Sequence, residues 1–498
     1  MLVARYLHKL VVRSPLKRRL DLSGEYRRCA SHIATLGLGL SFVQTNATTP
    51  RLHPTQVVAV GFIVLILIGT FVLMLPVSST DGTATDFLPS LFTATSAVSL
   101  TGLVVEDTAT HWTSFGQVVI ITLIQLGGFG VMSLTSLAAM MLTGRLSLRS
   151  QLNTLAEGRT QDASSVRKTL VMTLVFMAGT EFLVAIFLAC RFHFGYDKPL
   201  GQAVWHGVFH AISAFNNAGF SIYSDNLISL ATDAAVILPI AFALIVGGLG
   251  FQVLLEIFNK ARRRILNPRN RSDNVRFSVT ATVTLWGTAF LLVAGWIWYA
   301  FFEWKATLAP LAFHDKMLLS FFGSATARTA GFNAVDYGML HPSTLMGTDI
   351  LMFIGGGSGG TAGGIRITTA AIILAAMLTE FRGENSVTIN RRRISPSTIR
   401  RALTVVSFGV TLVVTTIVLI RTLDPQFTAD QVVLETLSAF STVGLSTGIT
   451  PYLSGASQGI LIAIMYLGRI GPITLVTAMA LKKFKRRFEY PEERPFIG

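Results

Sequence analysis

The sequence predicts an all-α membrane protein. Four tandem repeats of outer helix, short helix, loop and inner helix surround a pseudo-fourfold axis and make eight membrane spans. Three observations predict this. Of 498 residues, 51% are hydrophobic and 13% charged, with a mean hydropathy of +0.57; soluble domains carry about 25% charged residues. Apolar runs at 57–77, 170–189, 234–255, 279–298 and 403–420 approach the length of roughly 20 residues that a spanning helix needs. Two glycine motifs recur four times in register.

The net charge of +15 is distributed as loops, not as a nucleic-acid patch. Of the 41 Lys and Arg, 33 fall in the segments 1–51, 143–168, 260–276, 382–401 and 482–494. Every second loop is basic and the loops between are acidic or neutral. This is the positive-inside pattern, and it predicts that both termini are cytoplasmic. The basic loops carry no recurring aromatic or arginine-rich motif that would read a base, so no nucleic-acid partner is expected. Cys29 and Cys190 are the only cysteines, and two cysteines make no disulfide framework for so long a chain. The basic N-terminus is not followed by a short apolar run with a small-residue cleavage site, and no signal peptide is expected.

Between successive basic loops, an apolar run is followed by a shorter semi-polar one, near 86–96, 202–215, 315–326 and 429–441. These are too short to span and read as re-entrant pore helices buried in protein. Each leads into a related tripeptide: Thr101-Gly102-Leu103, Ala218-Gly219-Phe220, Ala330-Gly331-Phe332 and Val443-Gly444-Leu445. The central glycines are 117, 112 and 113 residues apart. A second motif follows each by 25, 28, 25 and 24 residues, beginning at Gly127, Gly247, Gly356 and Gly468. Close helix packing explains the second motif in part. It does not explain the first, which follows a segment too short to cross. The expected organisation is a basic extension (1–53), pore repeats at 54–143, 167–261, 276–381 and 400–482, and a cytoplasmic tail (483–498). The apolar stretch 34–43 in the extension is too short to span.

A dehydrated cation in a membrane needs oxygen ligands, and rings of backbone carbonyls supply them. Glycine reaches the φ/ψ regions that turn carbonyls toward an axis, and four such loops form a ring. Pore helices directed at it place their partially negative C-terminal ends there. The candidate filter residues are Ser99, Leu100, Thr101 and Gly102; Asn217, Ala218 and Gly219; Thr329, Ala330 and Gly331; Thr442, Val443 and Gly444. Glu106, Asp225 and Asp336 follow three of the glycines. They form either an acidic vestibule or ordinary solvated loop charge.

The third inner helix is abnormal, with seven glycines in the twelve residues 354–365. At about 1 kcal/mol per glycine relative to alanine, the run predicts a break in the helix. A phosphate-binding loop would need a Lys-Ser/Thr ending and a preceding strand, and both are missing. The segment reads as a gate: Gly355, Gly356, Gly357, Ser358, Gly359, Gly360 and Thr361. Arg328, Arg366 and Arg469 lie inside the expected membrane zone, where each needs a partner. Arg328 is expected to support the filter. Arg469, with Arg366, is expected to reach the carbonyls of 355–364 and to oppose cation passage. Glu435 is a candidate counter-ion. His206 and His210 have helical metal-ligand spacing but no evident third ligand.

Here the residues match a family. Ala-Val-Ser-Leu-Thr-Gly-Leu at 97–103, Phe-Asn-Asn-Ala-Gly-Phe-Ser at 215–221, Ala-Arg-Thr-Ala-Gly-Phe-Asn at 327–333 and Ser-Thr-Val-Gly-Leu-Ser at 441–446 resemble the four filters of the Trk/Ktr/HKT potassium transporters. Gly-Gly-Thr-Ala-Gly-Gly-Ile-Arg at 359–366 and Gly-Arg-Ile-Gly-Pro-Ile-Thr at 468–474 resemble the family's gate and its last inner helix. The resemblance covers about residues 54–482. Eight spans make the chain most similar to the membrane subunits of bacterial Ktr systems.

The resemblance implies a homodimer in the bacterial plasma membrane, one pore per subunit, and a cytoplasmic nucleotide-binding ring of the KtrA type as regulator. It implies potassium as the transported ion. Glycine at all four filter positions argues for potassium over sodium, by analogy with relatives in which a serine replaces the first. A sodium-coupled (symport) or sodium-permeable carrier of the same fold is the alternative. Lipid is the surrounding partner, and no organic cofactor is expected. The family's gate commonly carries a proline among its glycines; Ser358-Gly359-Gly360 has none, which puts the gate's stiffness in question. A membrane enzyme would need a nucleophile–base pair or a metal cluster on one face, and no such constellation stands out.

Overall fold

The computed structural model describes residues 54–143, 163–266 and 277–471. The expected N-terminal extension and C-terminal tail lie outside the described residues. Fourteen α-helices are described, in four successive groups. The first is α1 (Pro54–Leu73), α2 (Phe87–Ser99) and α3 (Ser114–Thr143). The second is α4 (Ala163–Gly195), α5 (Leu200–Phe215), α6 (Ala234–Leu249) and α7 (Phe251–Leu266). The third is α8 (Val279–Glu303), α9 (Phe313–Thr326), α10 (Pro342–Phe353) and α11 (Ile367–Phe381). The fourth is α12 (Pro396–Leu423), α13 (Ala429–Ser441) and α14 (Gly455–Ile470). A two-residue antiparallel pair, β1 (Thr388–Ile389) with β2 (Arg392–Arg393), lies between α11 and α12.

Burial is inverted relative to a soluble protein. Phe71, Phe182, Trp286 and Phe301 on α1, α4 and α8 are more than two-thirds exposed. Thr93, Thr95, Ser96, Ser213, Thr436 and Ser438 on the short helices are fully buried. Apolar side chains facing outward at no cost require an apolar surround, and the bilayer provides one. The short helices, rich in Ser, Thr and Ala, could not face lipid and sit inside.

Local sequence sets the helix starts. Thr428 and Gln431 form a reciprocal capping box on α13. Ser278, Ser395 and Ser454 cap α8, α12 and α14 through their hydroxyls. Pro342 and Pro396 occupy the first helical position, where no N–H is needed.

The helices after the loops link the groups in order. Helix α3 packs on α5, α6 on α9, α10 on α13, and α14 returns to α2. The last group thus closes on the first, and the Tyr466 hydroxyl donates to Ala59 O at 2.9 Å. The inner-helix glycines make the close approaches possible. A Cβ on Gly127, Gly247 or Gly468 would overlap Val98 O, Phe215 O or Phe440 O at the end of the same group's short helix.

Two helices depart from the apolar runs of the sequence. The run 234–255 is not one helix. It breaks at Gly250 (φ 91°), and α7 turns away from α6 by 101°. The third inner helix is interrupted from 354 to 366, as its glycines predict. Among the described residues, three helices are long and apolar enough to cross a bilayer: Val171–Gly195, Val279–Glu303 and Pro396–Leu423. The bent pair α6 and α7 would make a fourth.

Candidate functional site

Each short helix ends in a loop of one backbone pattern. Leu100 (φ 58°), Asn217 (φ 56°), Thr329 (φ 70°) and Thr442 (φ 50°) are left-handed. Two residues later comes the glycine: Gly102 (φ 90°), Gly219 (φ 71°), Gly331 (φ 72°) and Gly444 (φ 97°). Alternating the sign of φ turns successive carbonyls toward one side of the strand, where a uniform strand would alternate them. The glycines were legible in the sequence. The left-handed Leu and Thr positions were not, because such residues rarely adopt positive φ. Each holds a conformation costing about 1–3 kcal/mol, which persists only when the surroundings impose it.

The four loops close on one another. A Cβ on Gly219 would lie 2.9 Å from Ala330 O. On Gly102 it would meet Ala218 O, on Gly331 Val443 O, and on Gly444 Thr101 O, all closer still. Every glycine therefore abuts the residue before the glycine of the next loop, and the fourth abuts the first.

The loop N–H groups point back into their own short helices. Thr101 N donates to Ser96 O, Ala218 N to Ser213 O and Val443 N to Ser438 O, each at 2.8 Å. Gly102 N and Gly444 N donate to the hydroxyls of Ser96 and Ser438 at 3.0 and 2.9 Å. The Ser213 hydroxyl donates to Phe220 O at 2.7 Å. Ser99, the last residue of α2, shares a 2.6 Å hydrogen bond with the Thr101 hydroxyl. The serine six residues before the glycine is a sequence signal that the motif reading passed over. The third loop lacks it, having Ala325 there. Ala330 N instead donates to Thr326 O at 3.0 Å, and the Thr326 hydroxyl donates to Phe332 O at 2.9 Å.

Below the ring lies the glycine segment. The side chains of Thr329 and Thr442 stand between the two, and that of Asn217 lies against Gly248 at the end of α6. Thr329 Cγ2 is 3.5 Å from the Cβ position of Gly355, and Thr442 Oγ1 is in contact with that of Gly363. Asn217 Oδ1, Thr329 Oγ1 and Thr442 Oγ1 are buried with no hydrogen-bond partner among the described residues. The segment re-enters beside itself: Gly355 N donates to Ile365 O at 2.9 Å and Ile365 N to Phe353 O at 3.2 Å. It is fastened to the break in the second inner helix. Gly357 N donates to Gly248 O at 2.9 Å, Thr361 N to Gly247 O at 3.3 Å, and Phe251 N to Gly359 O at 3.3 Å. Between these points Ser358 O lies 2.6 Å from the Cβ position of Gly250, and Gly360 N donates to Gly357 O at 3.3 Å.

Two arginines hold the segment. Arg469 Nη1 donates to Thr361 O at 2.5 Å. Arg366 Nη1 donates to Ala362 O and, at 3.2 Å, to Gly357 O. Gly356 O accepts from Ile367 N at 3.1 Å. Arg469 also keeps Nε and Nη2 without a partner among the described residues.

The other residues singled out in the sequence have partners of their own. Glu435 is not a counter-ion to an arginine. It accepts from the Ser446 hydroxyl, from Thr447 N at 3.1 Å and from the Thr450 hydroxyl at 2.9 Å, fastening the chain that follows the fourth loop. Arg328 faces α8, donating to Thr288 O and Oγ1 at 3.4 Å. His206 bonds the Tyr223 hydroxyl at 2.8 Å and His210 the Ser221 hydroxyl at 3.0 Å. Asp225 and Asp336 accept from Ser229 N and Gly338 N in local turns, and Glu106 lies 3.5 Å from His111.

Fold and site together define a class: a multi-pass helical membrane protein organised about a central ring of four backbone loops. The chain belongs to the TrkH family of cation transport proteins, whose model matches residues 29–488. It is therefore a cation transporter and not an enzyme. It is 38% identical to the Ktr system potassium uptake protein B of Bacillus subtilis, over 90% of this chain and 97% of that one. It is 35% identical to the potassium/sodium uptake protein NtpJ of Enterococcus hirae, over 90% and 98%. Its fold is similar to that of the potassium transporter TrkH of Vibrio parahaemolyticus, with a TM-score of 0.68 at 15% identity over 88% of this chain and 86% of that one.

Proposed function

We propose that the chain is the potassium-translocating subunit of a Ktr-type uptake system. Potassium passes through the ring formed by 99–102, 217–219, 329–331 and 442–444, and the segment 355–364 gates it. The observation that carries this is the ring itself: four glycines, each without room for a side chain against the next loop's carbonyl-bearing residue. Because the loop N–H groups are engaged on the helix side, carbonyls of the ring are left for an ion, Gly219 O excepted, which accepts from the Asn226 side chain at 3.4 Å. The short helices add the partial negative charge of their C-terminal ends. Arg366 and Arg469 place two fixed cations beneath the ring, where low dielectric strengthens their opposition to a passing cation.

The rest of the reading rests on the family and on loop charge. The chain has four repeats and eight spans, both termini are cytoplasmic, and it acts as a homodimer with a cytoplasmic nucleotide-binding ring. Relatives named for a Ktr system support that assembly. A sodium-coupled or sodium-permeable transporter is the second reading, favoured by the potassium/sodium relative.

Growth of a potassium-uptake-deficient strain carrying this chain, on limiting potassium with and without sodium, tests the reading. Rescue by the wild type is expected, and Gly102→Ser should lower the potassium-to-sodium uptake ratio. Failure to rescue with the protein present in the membrane overturns the reading. An unchanged ratio removes Gly102 from the filter.

A further inference from the structure

Helix α7 is not needed to build the ring, yet its first turn is bonded to the segment 355–364. It follows Gly250 and turns 101° from α6. An apolar helix of 16 residues covers about 24 Å at 1.5 Å per residue, most of the hydrocarbon thickness. A helix nearly perpendicular to it at that depth runs along the membrane plane.

The sequence of α7 suits that position. Phe251, Leu254, Leu255, Phe258 and Ile265 repeat at helical spacing and share one face. Phe251 is buried at the break, but Phe258 is 48% exposed and Ile265 77% exposed. Lys260, Arg262, Arg263 and Arg264 form a basic cluster, and the three arginines are exposed. Lys260 lies 3.8 Å above the Phe277 ring at the start of the next span. Arg262 interrupts the apolar strip between Phe258 and Ile265, where its stem can lie along the strip with the guanidinium at headgroup level. An apolar face with basic residues on the opposite side, as Lys260, Arg263 and Arg264 are here, is the pattern of a helix seated in the headgroup layer of an anionic bilayer.

The first turn of α7 is bonded to the gate. Phe251 N donates to Gly359 O, while the two residues before Gly250 in the break, Gly248 and Leu249, meet Gly357 from the other side. Further along α7, Glu256 accepts from Ser278 N at 2.6 Å and from the Ser278 hydroxyl at 2.8 Å, tying it to the cap of α8. A load on the surface-lying part of α7 therefore reaches the segment through the break.

We propose that α7 lies in the cytoplasmic headgroup layer and binds anionic phospholipid headgroups through Lys260, Arg262, Arg263 and Arg264. That contact holds the segment 355–364 in its blocking position, so anionic lipid lowers ion flux. The flux half of this rests on the gating role proposed above; the position of α7 does not.

The test uses the full chain reconstituted in phosphatidylcholine vesicles with increasing phosphatidylglycerol. Nitroxide labels are placed at Phe258→Cys and Ile265→Cys in a Cys29→Ser, Cys190→Ser background. In anionic vesicles both labels should collide with oxygen and be shielded from a water-soluble nickel chelate. Nickel access to both would overturn the lipid contact, and so would shielding from both reagents, which marks a protein interface with a second copy or another partner. Wild-type potassium flux should fall at least ~3-fold as phosphatidylglycerol rises, and a combined Arg262→Gln, Arg263→Gln, Arg264→Gln variant should lose that dependence. Flux that ignores lipid charge in the wild type, or equal dependence in the variant, overturns the coupling. Absence of flux in every lipid overturns the transport reading instead, and the labels still decide the lipid contact.

Discussion

The ring and the segment beneath it are both glycine-rich, non-helical backbone inside the molecule, yet they are fastened in opposite ways. The ring is held locally. Its N–H groups return to the short helix five or six residues back, and each loop leans on the next. The segment has local bonds too, from Arg366 and between its own strands, but it is also held from afar, by the break near Gly247 and Gly248 and by Arg469, 108 residues away from its acceptor Thr361. Local fastening resists change because it is remade wherever the helix exists. Remote fastening can be released by moving one distant element. Glycine has a different duty in each. In the ring it is dictated by positive φ and by contact with the adjacent loop; in the segment it lets backbone meet backbone while forming no helix.

The largest effect should come from alanine in the ring. Gly444→Ala forces a Cβ onto Thr101 O at a φ of 97°. Left-handed strain alone costs about 1–3 kcal/mol, and each 1.4 kcal/mol is about tenfold. Potassium flux in vesicles should fall at least ~10-fold with the protein still folded by gel filtration. Flux within twofold of wild type would show that the ring is not the ion path.

The same kind of change below the ring should act in the other direction. Arg469→Ala removes the donor to Thr361 O and a buried cation. A hydrogen bond to a charged group is worth about 1.5–3 kcal/mol, so flux should rise several-fold and depend less on the regulatory ring proposed above. Deletion of 356–360 should do likewise. Flux at or below wild type in both folded variants would make the segment a packing element and end its contrast with the ring.

A milder version is Gly360→Ala, whose Cβ would lie 2.8 Å from Gly248 O. It should loosen the latch to the break and raise flux less than Arg469→Ala. A loss as severe as in Gly444→Ala would erase the difference between the two regions.

The smallest effect concerns the ring's serine anchors. Ser438→Ala leaves Gly444 N without its 2.9 Å acceptor. An unsatisfied buried N–H costs about 1–3 kcal/mol, so thermal stability should drop while flux stays within about twofold. Ala325→Ser, at the position where the third loop lacks the anchor, should be nearly neutral, because Thr326 already serves that loop. Equal destabilisation by the two would mean that the serine pattern carries no structural role.

Much of this arrangement was legible in the sequence because it rests on what glycine and charge cannot avoid. Glycine runs cannot remain helical, and Arg469 in an apolar setting must find acceptors; the two needs pointed to each other. What stayed hidden depended on tertiary surroundings. Leu100 and Thr442 give no hint of positive φ, since the loops around them impose it. The break at Gly250 was masked because the apolar pattern continues through Phe251, Leu254 and Leu255, and only contact with the glycine segment separates α6 from α7. Glu435 invited an arginine partner by being buried, whereas hydroxyls and an N–H from its own following loop were nearer.

The hydrogen bond from Tyr466 to Ala59 spans 407 positions of the chain. Contacts of such separation form late, because the intervening chain must be ordered first. During synthesis the first three loops can fold beside one another, but the circle stays open on one side until α14 reaches α2. A chain that ends before α14 therefore has three loops beside one another and no closed ring. Among the described residues, the arrival of α14 is what closes the ring, so a stop codon before it leaves α2 without that partner.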